Sequence, residues 1–188
     1  MPGKTALVPI AAGSEEIEAI TVVDSLRRAD VAVTVAAVGG SKLVTCARGT
    51  RVEADALIED VADQSFDLVY LPGGLPGASN LRADATVERV VRAQNDAGQL
   101  LSAICAAPAV VLHDLGIIGE RAATAYPGFS DKLANQAHVA ERVVVDGHIV
   151  TSRAPGTAME LAYTLISLLV SKDKADEVGK SMLLNTLV

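Results

Sequence analysis

The chain has no tryptophan, and its only aromatics are three Tyr and two Phe. Rings therefore cannot fill a core. Half of the residues are hydrophobic, so Val, Leu, Ile and Ala must fill it. Such side chains suit parallel strands covered on both faces. Cysteine is equally scarce. Cys46 and Cys105 are too few for a disulfide framework, and free thiols in an intracellular protein are expected. There is no basic run, and the net charge is −7, which argues against nucleic acid as a partner. The longest apolar run, LAYTLISLLV at 161–170, falls well short of a membrane span. ALVPIAA near the start is too short for a secretory signal. Neither GxGxxG nor a P-loop occurs, so no dinucleotide or ATP site is supported. His113, His138 and His148 are scattered without metal-ligand spacing. No metal, cofactor, nucleic acid or membrane is expected. The cytoplasm is the expected compartment, with nucleus or mitochondrion left open.

What is present is an alternation of strands and helices. The 188 residues show no repeat and no Pro/Gly-rich linker, so one domain over 1–188 is the simplest organisation. Strands are predicted at 4–10, 31–38, 66–71 and 100–104, with shorter ones within 43–60. A further strand is expected in AATAYP at 122–127. The pair in RVVVDGHIVTS turns at Asp146–Gly147. Helices are predicted from a Ser14 cap to about Ala29, then over 84–97, 108–115, 157–170 and 173–184. Glu15 and Glu16 fall in the first turn, where the helix dipole favours them and where solvation is the simplest reading. This alternation implies an α/β fold with a parallel sheet between helical layers. Sites in such sheets lie outside the carboxyl ends of the strands. AAGSEEIE, LPGG and Cys105 all fall there.

Cys105 sits in AICAAPAVVL, between a predicted strand and a predicted helix. A nucleophile elbow needs small residues two places either side, because the chain turns sharply. Ala103 and Ala107 occupy those places, and Pro108 fits a first helical turn. A helix N-terminus should favour the thiolate, and the Ala106 N–H is placed to serve an oxyanion. A buried structural cysteine is the plainer alternative. Cys46, in LVTCARGT, has no elbow and is expected to serve packing or an interface.

Glu18 is the next candidate. One helical turn places it beside a stripe of Ile17, Ile20 and Val23, where burial would raise its pKa. A protonated Glu18 donates a hydrogen bond to a thiolate; an ionised one takes a proton from substrate. Periodicity alone leaves this reading level with that of a solvated helix glutamate. Gly73 and Gly74 allow close approach of backbone to a ligand, and their N–H groups suit an anion. An ordinary turn explains two glycines equally.

These stretches carry a likeness. ALVPIAAGSEEIEAI, LPGG, AICAAPAVVL and TSRAPGTAMELA, in this order over nearly the whole chain, resemble the ThiJ/PfpI superfamily, in its Parkinson's-disease protein deglycase branch. The resemblance implies a flavodoxin-like fold, a homodimer, a reactive Cys105 and a partner carboxyl at Glu18. It maps backbone donors to Gly74 and Ala106, and arginines at a dimer-facing pocket mouth to Arg28 and Arg48. It also implies cofactor-free conversion of methylglyoxal or glyoxal to a hydroxy acid, or repair of early glycation adducts. Two departures stand out. Ala106 replaces the His that follows the nucleophile in protease-like members, which argues against a peptidase. Tyr126 stands where many members of the branch carry a His, and a tyrosine is a weak base at neutral pH.

Three readings compete. The first is an enzyme acting on small dicarbonyls through Cys105 and Glu18, with Gly73, Gly74, Ala106, Tyr126, Arg28 and Arg48 around the substrate. The second is a redox sensor whose Cys105 oxidises to sulfinate. The third is a holdase chaperone that binds unfolded clients.

Overall fold

The structure is a computed structural model and describes residues 3–184. In chain order, β1 (Thr5–Ile10) leads to α1 (Glu16–Arg28) and β2 (Ala32–Ala37). A hairpin of β3 (Leu43–Thr45) and β4 (Arg51–Glu53) stands apart as its own two-stranded sheet. Then come β5 (Ala56–Leu57), the short α2 (Ile58–Val61), β6 (Leu68–Leu71), α3 (Gly77–Ala83) and α4 (Ala85–Asp96). After β7 (Leu100–Ile104) the chain makes a π-helical turn at Pro108–His113. The antiparallel pair β8 (Val143–Asp146) and β9 (Ile149–Ser152) and the helices α5 (Ala158–Leu169) and α6 (Lys172–Ser181) complete the order.

The main sheet has seven strands in the order β5-β2-β1-β6-β7-β9-β8. Every neighbouring pair is parallel except β8 with β9. Alternating side chains feed two separate cores. Leu7, Val69, Leu71, Leu101 and Ala103 face one layer with Leu81, Val87 and Leu112. Ala6, Val8, Ile10, Leu68, Tyr70 and Ile104 face the other, against Val22, Leu26, Leu161 and Leu165. β6 is buried along its whole length, as expected of a central strand covered on both faces. The expected parallel α/β architecture is present, and the site-bearing loops leave the carboxyl ends of β1, β6 and β7.

Several local expectations need correction. The N-cap of α1 is Glu15, not Ser14: the Glu15 side chain accepts the Glu18 N–H, while Ser14 Oγ accepts the Ala11 N–H within the preceding turn. AATAYP is not a strand. Its amides are taken by other partners: Thr124 N–H donates to Thr151 Oγ1, and Tyr126 N–H to the Cys105 carbonyl. α3 (Gly77–Ala83) lies where no helix is predicted, between the strand at 66–71 and the helix at 84–97. The expected helix at 108–115 is shortened to the π-helical turn.

Two loops are packed backbone against backbone. A Cβ at Gly77 would lie 2.3 Å from the Ser14 nitrogen, and one at Gly74 would lie 2.6 Å from the Glu15 nitrogen. Gly74 also holds φ at 85°, a region that disfavours side chains. Glu15 N–H donates to the Gly73 carbonyl at 3.0 Å, and Ala78 N–H to that of Gly74 at 2.8 Å. The segment that begins α1 is thereby seated on the segment that begins α3. We predict that Gly77→Ala lowers stability by about 1–3 kcal/mol, the usual cost of forcing atoms into a filled space. Gly156→Ala, with open space around its Cβ, should stay within about 0.5 kcal/mol of the parent. Denaturant melts of the two variants decide the matter; equal stabilities would refute the tight-packing account.

Candidate functional site

Cys105 directly follows β7 and holds φ at 63°, a left-handed conformation rare for a residue with a side chain. The strain, on the order of 1–3 kcal/mol, persists only where the surroundings fix it. Both backbone groups of Cys105 are held: its N–H donates to the Ser152 carbonyl at 2.9 Å, and its carbonyl accepts the Tyr126 N–H at 2.7 Å. Ala103, Ala106 and Ala107 are buried around the corner. The predicted elbow is therefore real in geometry. Ser152, at the end of β9, supports it, and a residue so distant in sequence gave no signal of that role.

Glu18 lies in the first turn of α1 and has no exposed surface. Its expected apolar stripe is not the observed one. Ile17 and Ile20 are 55% and 42% exposed, and the buried face runs through Glu18, Ala19, Val22, Val23 and Leu26. The sheet covers that face, so Glu18 points inward with it. Gly73 N–H donates to Glu18 Oε2 at 2.8 Å. Tyr70 Oη, from β6, donates to the Glu18 carbonyl at 3.0 Å and pins the turn. Among the described residues, Glu18 Oε1 is buried with no hydrogen-bond partner beyond the neighbouring Cys105 thiol. A Cβ at Gly73 would lie 2.6 Å from Cys105 Cβ and 2.8 Å from Glu18 Oε2. Glycine at this one position brings the thiol and the carboxyl together.

The N–H of Gly73 thus serves Glu18, not a ligand as expected. The N–H groups of Gly74 and Ala106 instead face Cys105 and lower its pKa. They do not win. Burial, and then the charge of Glu18, push the Cys105 thiol up to about 12, which corrects the expectation that the helix N-terminus would make a ready thiolate. Burial likewise raises Glu18 to about 7, against the opposing pull of the Gly73 N–H and the Cys105 thiol. The two groups titrate as a pair, because each charge repels the other. Above about pH 7 the pair therefore holds one proton, on the sulfur, and below it two. Protonation of Glu18 removes the charge repulsion, the smaller of these two causes, and leaves the sulfur facing two N–H donors. The arrangement can supply a nucleophile beside an acid–base group.

Other expected residues fall at varying distances. Tyr126 touches the elbow through its backbone; its side chain is 45% exposed and its ring lies near Phe129, with centroids 6.5 Å apart. Arg28 ends α1 and pairs with Asp24 at 2.6 Å, ten residues along the chain from Glu18. Arg48 sits exposed on the hairpin loop, and its backbone N–H donates to Glu16. Among the described residues, neither guanidinium bonds to the elbow. Cys46 is buried, and burial together with the Glu16 and Glu15 charges raises its pKa, as suits a packing residue. Glu15 and Glu16 are also buried, against the expectation of solvated glutamates. Glu15 caps α1, and Glu16 accepts the Arg48 and Thr50 N–H groups. The signal for them was the acidic pair itself, placed where unpaired N–H groups cluster. Among the described residues, no group of three or more His, Cys, Asp or Glu is placed to hold a metal ion. Nor is any helix there long and apolar enough to cross a membrane.

Comparison with known proteins adds to this geometry. Residues 4–168 match the DJ-1/PfpI family. The chain is 45% identical over 177 residues to protein DJ-1 homolog A of Arabidopsis thaliana, covering 94% of this chain and 45% of that protein. It thus spans less than half the length of that relative. It is 34% identical over 173 residues to the glutathione-independent glyoxalase DJR-1.2 of Caenorhabditis elegans, covering 91% of each. A solved structure of oxidized Toxoplasma gondii DJ-1 superposes with a TM-score of 0.94 at 40% identity, covering 96% of this chain and 98% of that one. The sheet flanked by helices is the flavodoxin-like fold of these neighbours.

The folded-state pKa of Glu18 lies above its ordinary 4.5, at about 7. The folded protein therefore binds the proton more tightly, and this contribution to stability is present below about pH 4.5 and lost as pH rises through about 7. We predict that Glu18→Gln escapes this loss. Relative to the parent, its stability should gain about 3 kcal/mol between pH 4 and pH 8. Urea titrations at the two pH values measure it. A constant difference between the two proteins would show that Glu18 is not held protonated by its surroundings.

Proposed function

The chain belongs to the DJ-1/PfpI family, and from that premise we propose that it is a glutathione-independent glyoxalase acting on methylglyoxal, glyoxal or early glycation adducts without a cofactor. One observation carries the reading: a strained Cys105 faces a fully buried Glu18 whose pKa lies near neutrality and whose Oε1 has no other partner. A strained nucleophile beside a poised carboxyl is the pattern of an acid–base pair at work. The glyoxalase relative at 34% identity supports the same chemistry.

In this reading the Cys105 sulfur, as thiolate, attacks the aldehyde carbon of methylglyoxal. The oxygen, polarised by the Gly74 and Ala106 N–H groups, takes up a proton and a hemithioacetal forms. Glu18, now a carboxylate, removes the proton from the former aldehyde carbon and returns a proton to the adjacent carbon. One carbon is oxidised and its neighbour reduced, so no outside oxidant enters. The product is a thioester of lactate on Cys105. Water cleaves it, releasing lactate and restoring the thiol. Tyr126, exposed and held by its backbone, is assigned an orienting role only.

Oxidation of the same sulfur to sulfinate is a second reading, supported by the Gly74 and Ala106 N–H groups facing Cys105 and by the protonated form of Glu18 beside it. One set of proteins tests both. Glu18→Gln should keep the fold and lose about 10²–10⁴-fold in lactate formation from methylglyoxal, the usual contribution of a general base. Cys105→Ser should abolish it, and Tyr126→Phe should cost only a few-fold. Lactate formation that survives Cys105→Ser sinks the enzymatic reading. Mild peroxide followed by peptide mass spectrometry should add oxygen to Cys105 before Cys46; the reverse order sinks the redox reading.

The working unit is proposed to be a homodimer in the cytoplasm. Ile17 and Ile20 on α1 and Leu43 on β3 leave apolar side chains exposed, a surface suited to a second copy. Such a pairing is also what would bring Arg28 and Arg48 to a partner's pocket mouth. Light scattering at micromolar concentration should give twice the chain mass of 19.4 kDa; a monomer mass would refute the pairing.

A further inference from the structure

Three hydrogen bonds close a ring around the carboxyl of Glu18. The Glu15 side chain accepts the Glu18 N–H at 2.8 Å. The Glu15 backbone N–H donates to the Gly73 carbonyl at 3.0 Å. The Gly73 N–H donates to Glu18 Oε2 at 2.8 Å. Glu15 is thus the one residue that holds both the backbone carrying the carboxyl and the glycine that binds it. It is buried, so both bonds are shielded from water.

We propose that Glu15 is a positioning residue of the site, closing this ring so that Glu18 stays aimed at Cys105. The inference rests on the reading of Cys105 and Glu18 as the reacting pair. Its physical basis is twofold. The ring fixes where the Glu18 carboxyl lies, since neither its N–H nor its Oε2 partner can shift without breaking a bond to Glu15. The Glu15 charge also disfavours a second negative charge on Glu18. Burial is the larger cause of the raised Glu18 pKa, and the charge of Glu15 adds to it. The other titratable groups facing Glu18 are Cys105 from the elbow and Tyr70 from β6. Tyr70 is fully buried and its pKa is raised well above the ordinary value, so it stays neutral and adds no charge of its own.

The test follows the alkylation rate of Cys105 by iodoacetamide from pH 5 to 9, using the full chain and peptide mapping to separate Cys105 from Cys46. In the parent the rate profile should show an inflection near pH 7, where Glu18 loses its proton and its charge begins to oppose the thiolate. Glu15→Gln keeps an acceptor for the Glu18 N–H but removes the charge. Its inflection should move to lower pH, because Glu18 loses its proton more readily without that charge beside it. Glu15→Ala also opens the ring and should slow alkylation by about tenfold or more, as misplaced reacting groups do. A helix cap alone would be rescued by Gln with an unchanged profile, so a Glu15→Gln profile that superimposes on the parent overturns the proposal. Glu18→Gln is the control for the premise. If it leaves the Cys105 profile unchanged, the pairing of Glu18 with Cys105 fails and takes this inference with it. If it changes the profile and Glu15→Gln does not, only the role of Glu15 fails.

Discussion

At Gly73, the elbow, the first turn of α1 and the loop after β6 meet in a space with no room for a methyl group. The Gly73 N–H holds Glu18 Oε2, its carbonyl holds the Glu15 N–H, and its bare α-carbon lets Cys105 approach. A carboxylate buried alone would be expelled or would unfold its surroundings. Here the Gly73 N–H and the Cys105 thiol help retain it, and burial outweighs both to hold its pKa near neutrality. The thiol feels the same constraint from the other side, since an ionised neighbour makes thiolate formation costly.

The rest of the fold makes that crowding tolerable. A positive φ at Cys105 is unfavourable by itself, but β7 lies between β6 and β9 and cannot relax without losing ladder bonds on both sides. The Ser152 carbonyl and the Tyr126 N–H then lock the corner. Two apolar layers hold the sheet from above and below, and Tyr70, in the layer that packs against α1, reaches the Glu18 carbonyl. The strain at the site is thus borne by elements whose own packing is ordinary: Val, Leu, Ile and Ala filling the two faces of a parallel sheet.

The environment also separates groups that composition treats alike. Both cysteines are sheltered and both have raised pKa values, yet only Cys105 has two N–H donors aimed at it. Glu15, Glu16 and Glu18 occupy one helical turn and do different work. Glu16 ties down the β3–β4 hairpin through the Arg48 and Thr50 amides, Glu15 caps the helix, and Glu18 faces the thiol. A substitution at any of the three has its own consequence.

The sequence by itself determined the parallel α/β architecture, because strand and helix periodicities alternate and the aliphatic core allows little else. It also determined the elbow, because Ala103, Ala107 and Pro108 around Cys105 are a local steric requirement. Its reading of α1 went wrong where local pattern competes with tertiary cover: Ile17 and Ile20 look like core residues and are exposed, while Glu15 and Glu16 look solvated and are buried. The 122–127 segment has strand-like residues, but its amides found side-chain and elbow acceptors in place of a ladder. Only the tertiary structure decided that Glu18 faces Cys105, that Gly73 serves the carboxyl and Gly74 the sulfur, and that the thiol is raised and not lowered. Those outcomes depend on desolvation and on charges brought together from distant parts of the chain, and neither quantity exists until the loops after β1, β6 and β7 have closed on one another.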